Sequence, residues 1–229
     1  MSRGSHQSKD MPALLFDLDG TMLVSDPIHE AVFREIWTER GLPTPAGFYV
    51  AQIHGRQNQD IFREFLPDEP DIQGLHERKE AMFRDRLVRP YPGMPGVVEL
   101  VRLAQEKGWK RAIVTNAMRK NAEAMLEAIG LRDAFDCIVI GEECARGKPD
   151  PGPYLEAMRQ LGVAAEDSIA FEDSTSGVRA AVAAGAHTFG IRSALDDATL
   201  RAAGAAATLA DFNDPALAHH LARLEGASP

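Results

Sequence analysis

From Val97 to Ile191 the chain alternates between helical and strand-like apolar patterns, with a glycine closing each helical stretch. Val97 to Lys107 reads as a helix stopped by Gly108, followed by the strand Arg111-Ala112-Ile113-Val114-Thr115. Lys120 to Ile129, stopped by Gly130, precedes the strand Cys137 to Ile140. Pro153 to Leu161, stopped by Gly162, precedes Ser168 to Phe171. Val178 to Ala184, stopped by Gly185, precedes His187 to Ile191. Strands that alternate with helices of this length form βαβ units, and βαβ units make parallel sheets. The fold class is therefore α/β. In open sheets of this kind, ligands bind beyond the carboxyl ends of the strands.

The earlier part of the chain has a different texture. Ala13-Leu14-Leu15-Phe16 is a short apolar run that opens into the polar turn Asp17-Leu18-Asp19-Gly20-Thr21, as a buried strand would. Pro27 to Arg40 carries Ile28, Val32, Phe33, Ile36 and Trp37 at helical spacing, and Gly41 ends it. Asp60 to Leu66 and Ile72 to Leu87 read as further helices, separated by Pro67 and Pro70. The expected organisation is a flexible polar leader over 1–10, a core made of 11–25 and 90–229, and an all-helical insertion over 26–89. Pro215 to Leu224 is expected to be a closing helix; the chain shows no sequence repeat and no long low-complexity segment, the Ala202 to Ala207 run being too short to count as one.

A chain of 229 residues suits a core with one insertion and can bury a proper hydrophobic interior. Its formal net charge of -9 repels a phosphate backbone, so nucleic acid is excluded as the expected partner. The same charge requires that an anionic substrate be held by a local positive patch or a metal ion. No apolar stretch is long enough to span a bilayer, and none reads as a secretory signal. The two cysteines, Cys137 and Cys144, make no disulfide framework; they read as reduced thiols in a cytoplasmic protein, with Cys137 in the core. A monomer is the expected state.

Polar residues cluster just after four of the strands, at Asp17, Thr115, Gly141 to Lys148, and Glu172-Asp173. Asp17 and Asp19 can face one cleft, where two carboxylates repel unless a cation separates them or one takes a proton. A hard divalent cation prefers oxygen ligands, and magnesium is the usual one beside phosphates. Glu172 and Asp173 would complete its shell. Thr115 and Asn116 offer hydroxyl, amide and backbone donors to phosphoryl oxygens. Lys148 supplies a positive charge where charge stabilisation is the main task. A carboxylate can act as nucleophile, and a second one can move protons for it.

In order, Asp17-Leu18-Asp19-Gly20-Thr21, Thr115-Asn116, Lys148-Pro149-Asp150-Pro151 and Phe171-Glu172-Asp173-Ser174 resemble the four motifs of the haloacid dehalogenase superfamily. The resemblance implies a Rossmann-like core with a helical cap inserted after the first motif. It also implies roles: Asp17 as nucleophile, Asp19 as acid and base, Thr115 and Lys148 as phosphate-binding groups, and Asp173 as a magnesium ligand. Asp17 and the backbone carbonyl of Asp19 would ligate the metal too, with Glu172 a direct or indirect partner. Asp19 argues against a dehalogenase, because dehalogenating members lack that second aspartate.

Asp26-Pro27-Ile28-His29, Ile53-His54-Gly55-Arg56, Lys79-Glu80-Ala81-Met82 and Lys148-Pro149-Asp150-Pro151-Gly152-Pro153-Tyr154 are similar to the sugar-phosphate phosphatase branch. One departure is Val24, where many relatives place an aspartate; it bears on specificity rather than chemistry. The expected activity is magnesium-dependent hydrolysis of a small phosphorylated metabolite, a sugar phosphate by resemblance. The competing readings are a mutase similar to β-phosphoglucomutase and a non-catalytic binder on the same fold. The mutase is weakened because His54 and Asn58 stand where it uses basic cap residues for a second phosphate.

Each residue also has a plainer reading. Aspartates form turns, Thr115-Asn116 can cap a helix, Lys148 can be a surface lysine, and Glu172-Asp173 can be solvated loop acids. The four motifs in order outweigh these. In the insertion, His29, Arg56 and Asn58 are candidate substrate contacts, against packing or surface roles. His76, His187, His219 and His220 show no metal-ligand spacing, and His219-His220 is expected to face water. Gly177 reads as a point of close helix approach.

Overall fold

Strand β1 (Ala13–Phe16) is buried along its whole length, as a strand covered on both faces must be. In a computed structural model that describes residues 12–53 and 56–224, it lies in the middle of a six-stranded parallel sheet. Helices α1 (Asp26–Glu39), α2 (Phe48–Gln52), α3 (Asn58–Phe65) and α4 (Ile72–Arg86) follow it. Next come α5 (Val97–Glu106), β2 (Lys110–Thr115), α6 (Arg119–Ala128), β3 (Cys137–Ile140), α7 (Gly152–Leu161) and β4 (Ser168–Glu172). The described residues end with α8 (Thr175–Ala183), β5 (His187–Ile191), α9 (Asp197–Ala203), β6 (Ala207–Leu209) and α10 (Pro215–Leu224). The leader expected over 1–10, and His54 and Gly55, lie outside the described residues. No helix among those described is long and apolar enough to cross a membrane.

The strand order is β3-β2-β1-β4-β5-β6. Sequence order therefore runs outward from β1 in both directions, and the crevice of such a sheet opens at that reversal. Asp17 is the first residue past β1. Register is tight there: Phe16 sits opposite Ile113 of β2 and Phe171 of β4. Alternate residues of β1 serve opposite faces. Leu14 and Phe16 join a core with α5, α6 and α10, whereas Ala13 and Leu15 join one with α7 and α8. Phe16, Phe171 and Phe189 stack across three strands with ring centroids 5.0 and 5.8 Å apart.

The inserted helices form a hydrophobic cluster of their own around Phe33, Trp37, Phe48 and Phe62. α4 also lends Phe83 to the core beneath the sheet, and Leu87 just beyond it joins the same core. The insertion thus has its own interior and a seam with the rest.

Some expectations are corrected. Between β5 and α10, where no element is predicted, the structure holds α9 and β6. Asp196 caps α9 by accepting from the Thr199 amide at 2.8 Å, Gly204 closes it with φ of 116°, and Ala207 begins an edge strand opposite Phe189. α8 starts earlier than expected because Ser174 accepts from the Gly177 amide at 3.0 Å. Cys137 opens the edge strand β3 and is only half-buried. His220 stacks on His187 at 4.3 Å rather than simply facing water.

Candidate active site

The end of β1 fixes the first carboxylate. The Asp17 amide donates to the Phe171 carbonyl at 3.0 Å, which carries the β1–β4 pairing one residue past the strand. The chain then folds back: the Gly20 amide reaches the Leu23 carbonyl at 2.8 Å and the Met22 amide reaches Leu18 at 2.8 Å. Gly20 has φ of 80°, and a Cβ there would lie 2.1 Å from Asp173 Oδ2, so glycine is required on both counts.

Asp17 and Asp19 line one cavity but belong to different partners. Lys148 Nζ donates to Asp17 Oδ1 at 2.6 Å, to Glu172 Oε1 at 2.5 Å and to the Val114 carbonyl at 2.7 Å. Asp19 instead accepts from Ser25 Oγ at 2.5 Å and pairs with His29 Nε2 at 3.2 Å. Lys79 Nζ meets the other ring nitrogen, Nδ1, at 2.8 Å. An ammonium has only protons to give, so Nδ1 accepts and Nε2 carries the proton toward Asp19.

The Lys148 loop is clasped by a neighbouring strand end. Asn116 Oδ1 accepts from the Lys148 amide at 3.1 Å, and its Nδ2 donates to the Lys148 carbonyl at 3.3 Å. The Asn116 side chain is thus engaged in holding Lys148. The Thr115 hydroxyl accepts from the Ala117 amide at 3.1 Å and keeps its own proton to donate. Beneath, the buried Tyr154 hydroxyl donates to Glu172 Oε1 at 2.7 Å. Gly177 owes its identity to the same carboxylate, since a Cβ there would meet Glu172 Oε2 at 1.9 Å.

Asp17, Glu172 and Asp173 each offer an oxygen within 4.8 Å of the others, and all three are buried. One lysine faces three carboxylates, leaving a surplus of negative charge. Burial, offset in part by Lys148 and reinforced by Glu172, pushes the Asp17 carboxyl up to about 7. Burial and the charges of Asp17 and Glu172 push Asp173 well above the usual carboxylate range. Burial also acts on Asp19, but the hydrogen bonds from His29 and Ser25 outweigh it and hold this carboxyl below its ordinary value. Lys148 is raised, because its two carboxylates outweigh the burial that would lower it. A surplus of buried carboxylate oxygens is what a hard divalent cation relieves, so the cluster fits such an ion. The Asp19 carboxylate lies outside this cluster.

The insertion contributes a second polar cluster, which sequence reading did not resolve. Lys79, Glu80 and Asn121 are all buried. Glu80 accepts from Lys79 Nζ at 2.9 Å, from Asn58 Nδ2 at 2.5 Å and from Asn121 Nδ2. Arg84 completes it by donating to Asn121 Oδ1 at 2.6 Å. His29 stacks on Phe83 at 4.2 Å. The available signal was spacing. Lys79 falls between Leu75 and Phe83 at four-residue intervals, on the apolar stripe of α4. Of the expected cap contacts, His29 and Asn58 line the cavity within this network. Arg56 stands at its exposed rim, donating to the Gln52 carbonyl at 2.9 Å and to Glu64.

Comparison with known proteins follows the same outline. The pattern of the haloacid dehalogenase-like hydrolase family matches residues 14–191. The phosphorylated carbohydrates phosphatase of Thermotoga maritima is 31% identical over 205 residues, covering 86% of this chain and 93% of that one. Hexitol phosphatase A of Escherichia coli is 32% identical over 184 residues, covering 80% and 83%. CbbY from Rhodobacter sphaeroides, solved in complex with xylulose-(1,5)bisphosphate, superposes with a TM-score of 0.76 at 27% identity, covering 88% of this chain and 95% of that one.

Proposed function

This chain belongs to the haloacid dehalogenase-like hydrolase family, and we propose that it is a magnesium-dependent phosphatase that hydrolyses small sugar phosphates in the cytoplasm through an aspartyl-phosphate on Asp17. The observation that carries the reading is Lys148 Nζ, 2.6 Å from Asp17 and 2.5 Å from Glu172, beside a third buried carboxylate at Asp173. The names of two relatives, a phosphorylated carbohydrates phosphatase and a hexitol phosphatase, support the substrate class. In this reading residues 26–89 are the cap and the rest is the catalytic core.

The reaction has two halves. A carboxylate oxygen of Asp17 bonds to phosphorus as the ester P–O bond breaks, and the leaving oxygen takes a proton from Asp19. Water then gives a proton to Asp19 and bonds to phosphorus. The bond to Asp17 breaks, releasing inorganic phosphate and restoring both carboxyls. Asp17, Asp173 and the Asp19 carbonyl would hold magnesium, with Glu172 fixed behind them by Lys148 and Tyr154. Magnesium, when bound, offsets the charge on the phosphoryl oxygens so that an anionic carboxylate can approach. Lys148 and the Thr115 hydroxyl bind and orient the phosphoryl group. Once Asp19 has given up its proton, His29 and Ser25 hold it as the anion, the form that then accepts the proton of water.

Phosphate release from a panel of sugar phosphates, with magnesium and with chelator, tests the proposal. Release that requires magnesium is the expected result. Asp17→Asn should lower it by about 10⁴-fold or more while the circular dichroism spectrum and a cooperative melt persist. An active, folded Asp17→Asn protein would overturn the reading.

A further inference from the structure

The cations lining the cavity, on the wall opposite the carboxylate cluster and within that cluster, each have an acidic partner. Lys79 lies 2.9 Å from Glu80 with 3% of its side chain exposed. Arg56 pairs with Glu64 at the rim, and Lys148 with Asp17 and Glu172. These are the lysine and arginine side chains among the described residues that line the cavity, a space of about 300 Å³. Glu80 is the centre of that wall. It accepts from Lys79, Asn58 and Asn121 and is itself buried.

Drawing Lys79 away toward a second phosphate would leave Glu80 as a buried charge without its counter-ion, which is costly. Leaving Lys79 in place would set a phosphate dianion beside a buried carboxylate, which is also costly. Neutral hydroxyls meet neither penalty, and the wall around Glu80 offers them the Asn58 amide oxygen and His76 Nε2, since the Asn58 Nδ2 contacts go to Glu80 and His76 Nδ1.

We infer that the cavity selects a phosphate monoester whose far end is uncharged and hydroxyl-bearing, and that Glu80 is the specificity-determining residue, an inference that rests on the phosphatase reading. Glu80 acts by holding Lys79 and by presenting its own charge to any second phosphate. The inference separates this chain from CbbY of Rhodobacter sphaeroides, whose complex contains a sugar bisphosphate.

The test compares kcat/KM, with magnesium, for fructose 6-phosphate against fructose 1,6-bisphosphate and for glucose 6-phosphate against glucose 1,6-bisphosphate. The ratio within each protein cancels losses common to both substrates. The unaltered chain should favour the monophosphate by about tenfold or more, and Glu80→Gln should shrink that ratio by about tenfold, through removal of the repelling charge and release of Lys79. Glu64→Gln, at a half-exposed rim position, frees Arg56 and should move the ratio the same way by about twofold; it also serves as the test if Glu80→Gln does not fold. A bisphosphate preference in the unaltered chain, or a ratio that neither variant moves, overturns the inference while leaving the phosphatase reading intact. No release from any substrate, p-nitrophenyl phosphate included, would instead remove the phosphatase reading itself.

Discussion

Two buried polar clusters face each other across one cavity, and they are balanced in opposite ways. At the sheet, Lys148 pairs with Asp17 and Glu172 beside a third carboxylate, Asp173; burial and the charge of Glu172 push Asp17 above its ordinary range, and burial with the charges of Asp17 and Glu172 pushes Asp173 above its own. In the helical insertion, Lys79 and Glu80 match one for one, and amides from Asn58 and Asn121 fill the remaining valences. The unbalanced cluster calls for an outside cation. The balanced one has its charges matched within itself and, in the reading proposed above, shapes what enters. In that reading, chemistry and selection are separated by charge balance as well as by position.

The sharpest way to break the contrast is Lys148→Met. It removes the counter-ion of an already acidic cluster, so kcat should fall by about 10²–10³, as steady-state phosphate release would record. The melting temperature should fall with it, since Asp17 and Glu172 lose the cation they share.

Metal removal probes the surplus charge directly. Asp17 sits at 3.8 ordinarily and about 7 in the fold, so the folded chain binds its proton more tightly than the unfolded chain does. The associated stability is full below about 4 and is lost as pH rises through 7. Chelator-treated protein should therefore lose stability between pH 4 and 7 at this site, a trend that Asp17→Asn should flatten. Near neutral pH, magnesium at about 100 times its Kd should add about 2.7 kcal/mol, seen as a melting point several degrees higher. Equal melts with magnesium and with chelator would contradict the fit of the cluster to an ion.

The balanced cluster should respond differently. Asn121→Ala strips a donor from Glu80 and an acceptor from Arg84, costing about 1–3 kcal/mol in a denaturant titration. Its kinetic effect should fall on KM more than on kcat, because Asn121 touches the selecting wall and not Asp17. Smallest of all, Arg56→Ala at the exposed rim should shift stability by less than about 1 kcal/mol.

Much of the α/β core could be read directly from the chain. Strands such as Ala13–Phe16 are continuously apolar, and glycines such as Gly162 punctuate the helices. Asp17, Thr115, Lys148 and Asp173 could be found because a parallel sheet gathers whatever follows its strands at one edge. The cap half was harder. Glu80 and Asn121 meet only through the packing of α4 against α6, forty-one residues apart, and no local period encodes that meeting. α9 and β6 were missed for a different reason. Their alanines, Ala202, Ala203 and Ala205 to Ala207, fit either period and carry no strong apolar signal.

The chain leaves the sheet for the helical insertion and comes back to nearly the same place. The Met94 amide donates to the Met22 carbonyl at 2.7 Å, and the Tyr91 hydroxyl donates to the Val24 carbonyl at 2.8 Å, so the outgoing and returning strands of the connection are stapled side by side. A segment whose ends already touch can be lengthened, shortened or exchanged without moving its anchor points. The insertion is in that sense a cartridge: a graft from a relative could re-address the enzyme to another metabolite while β1 and Asp17 stayed in register.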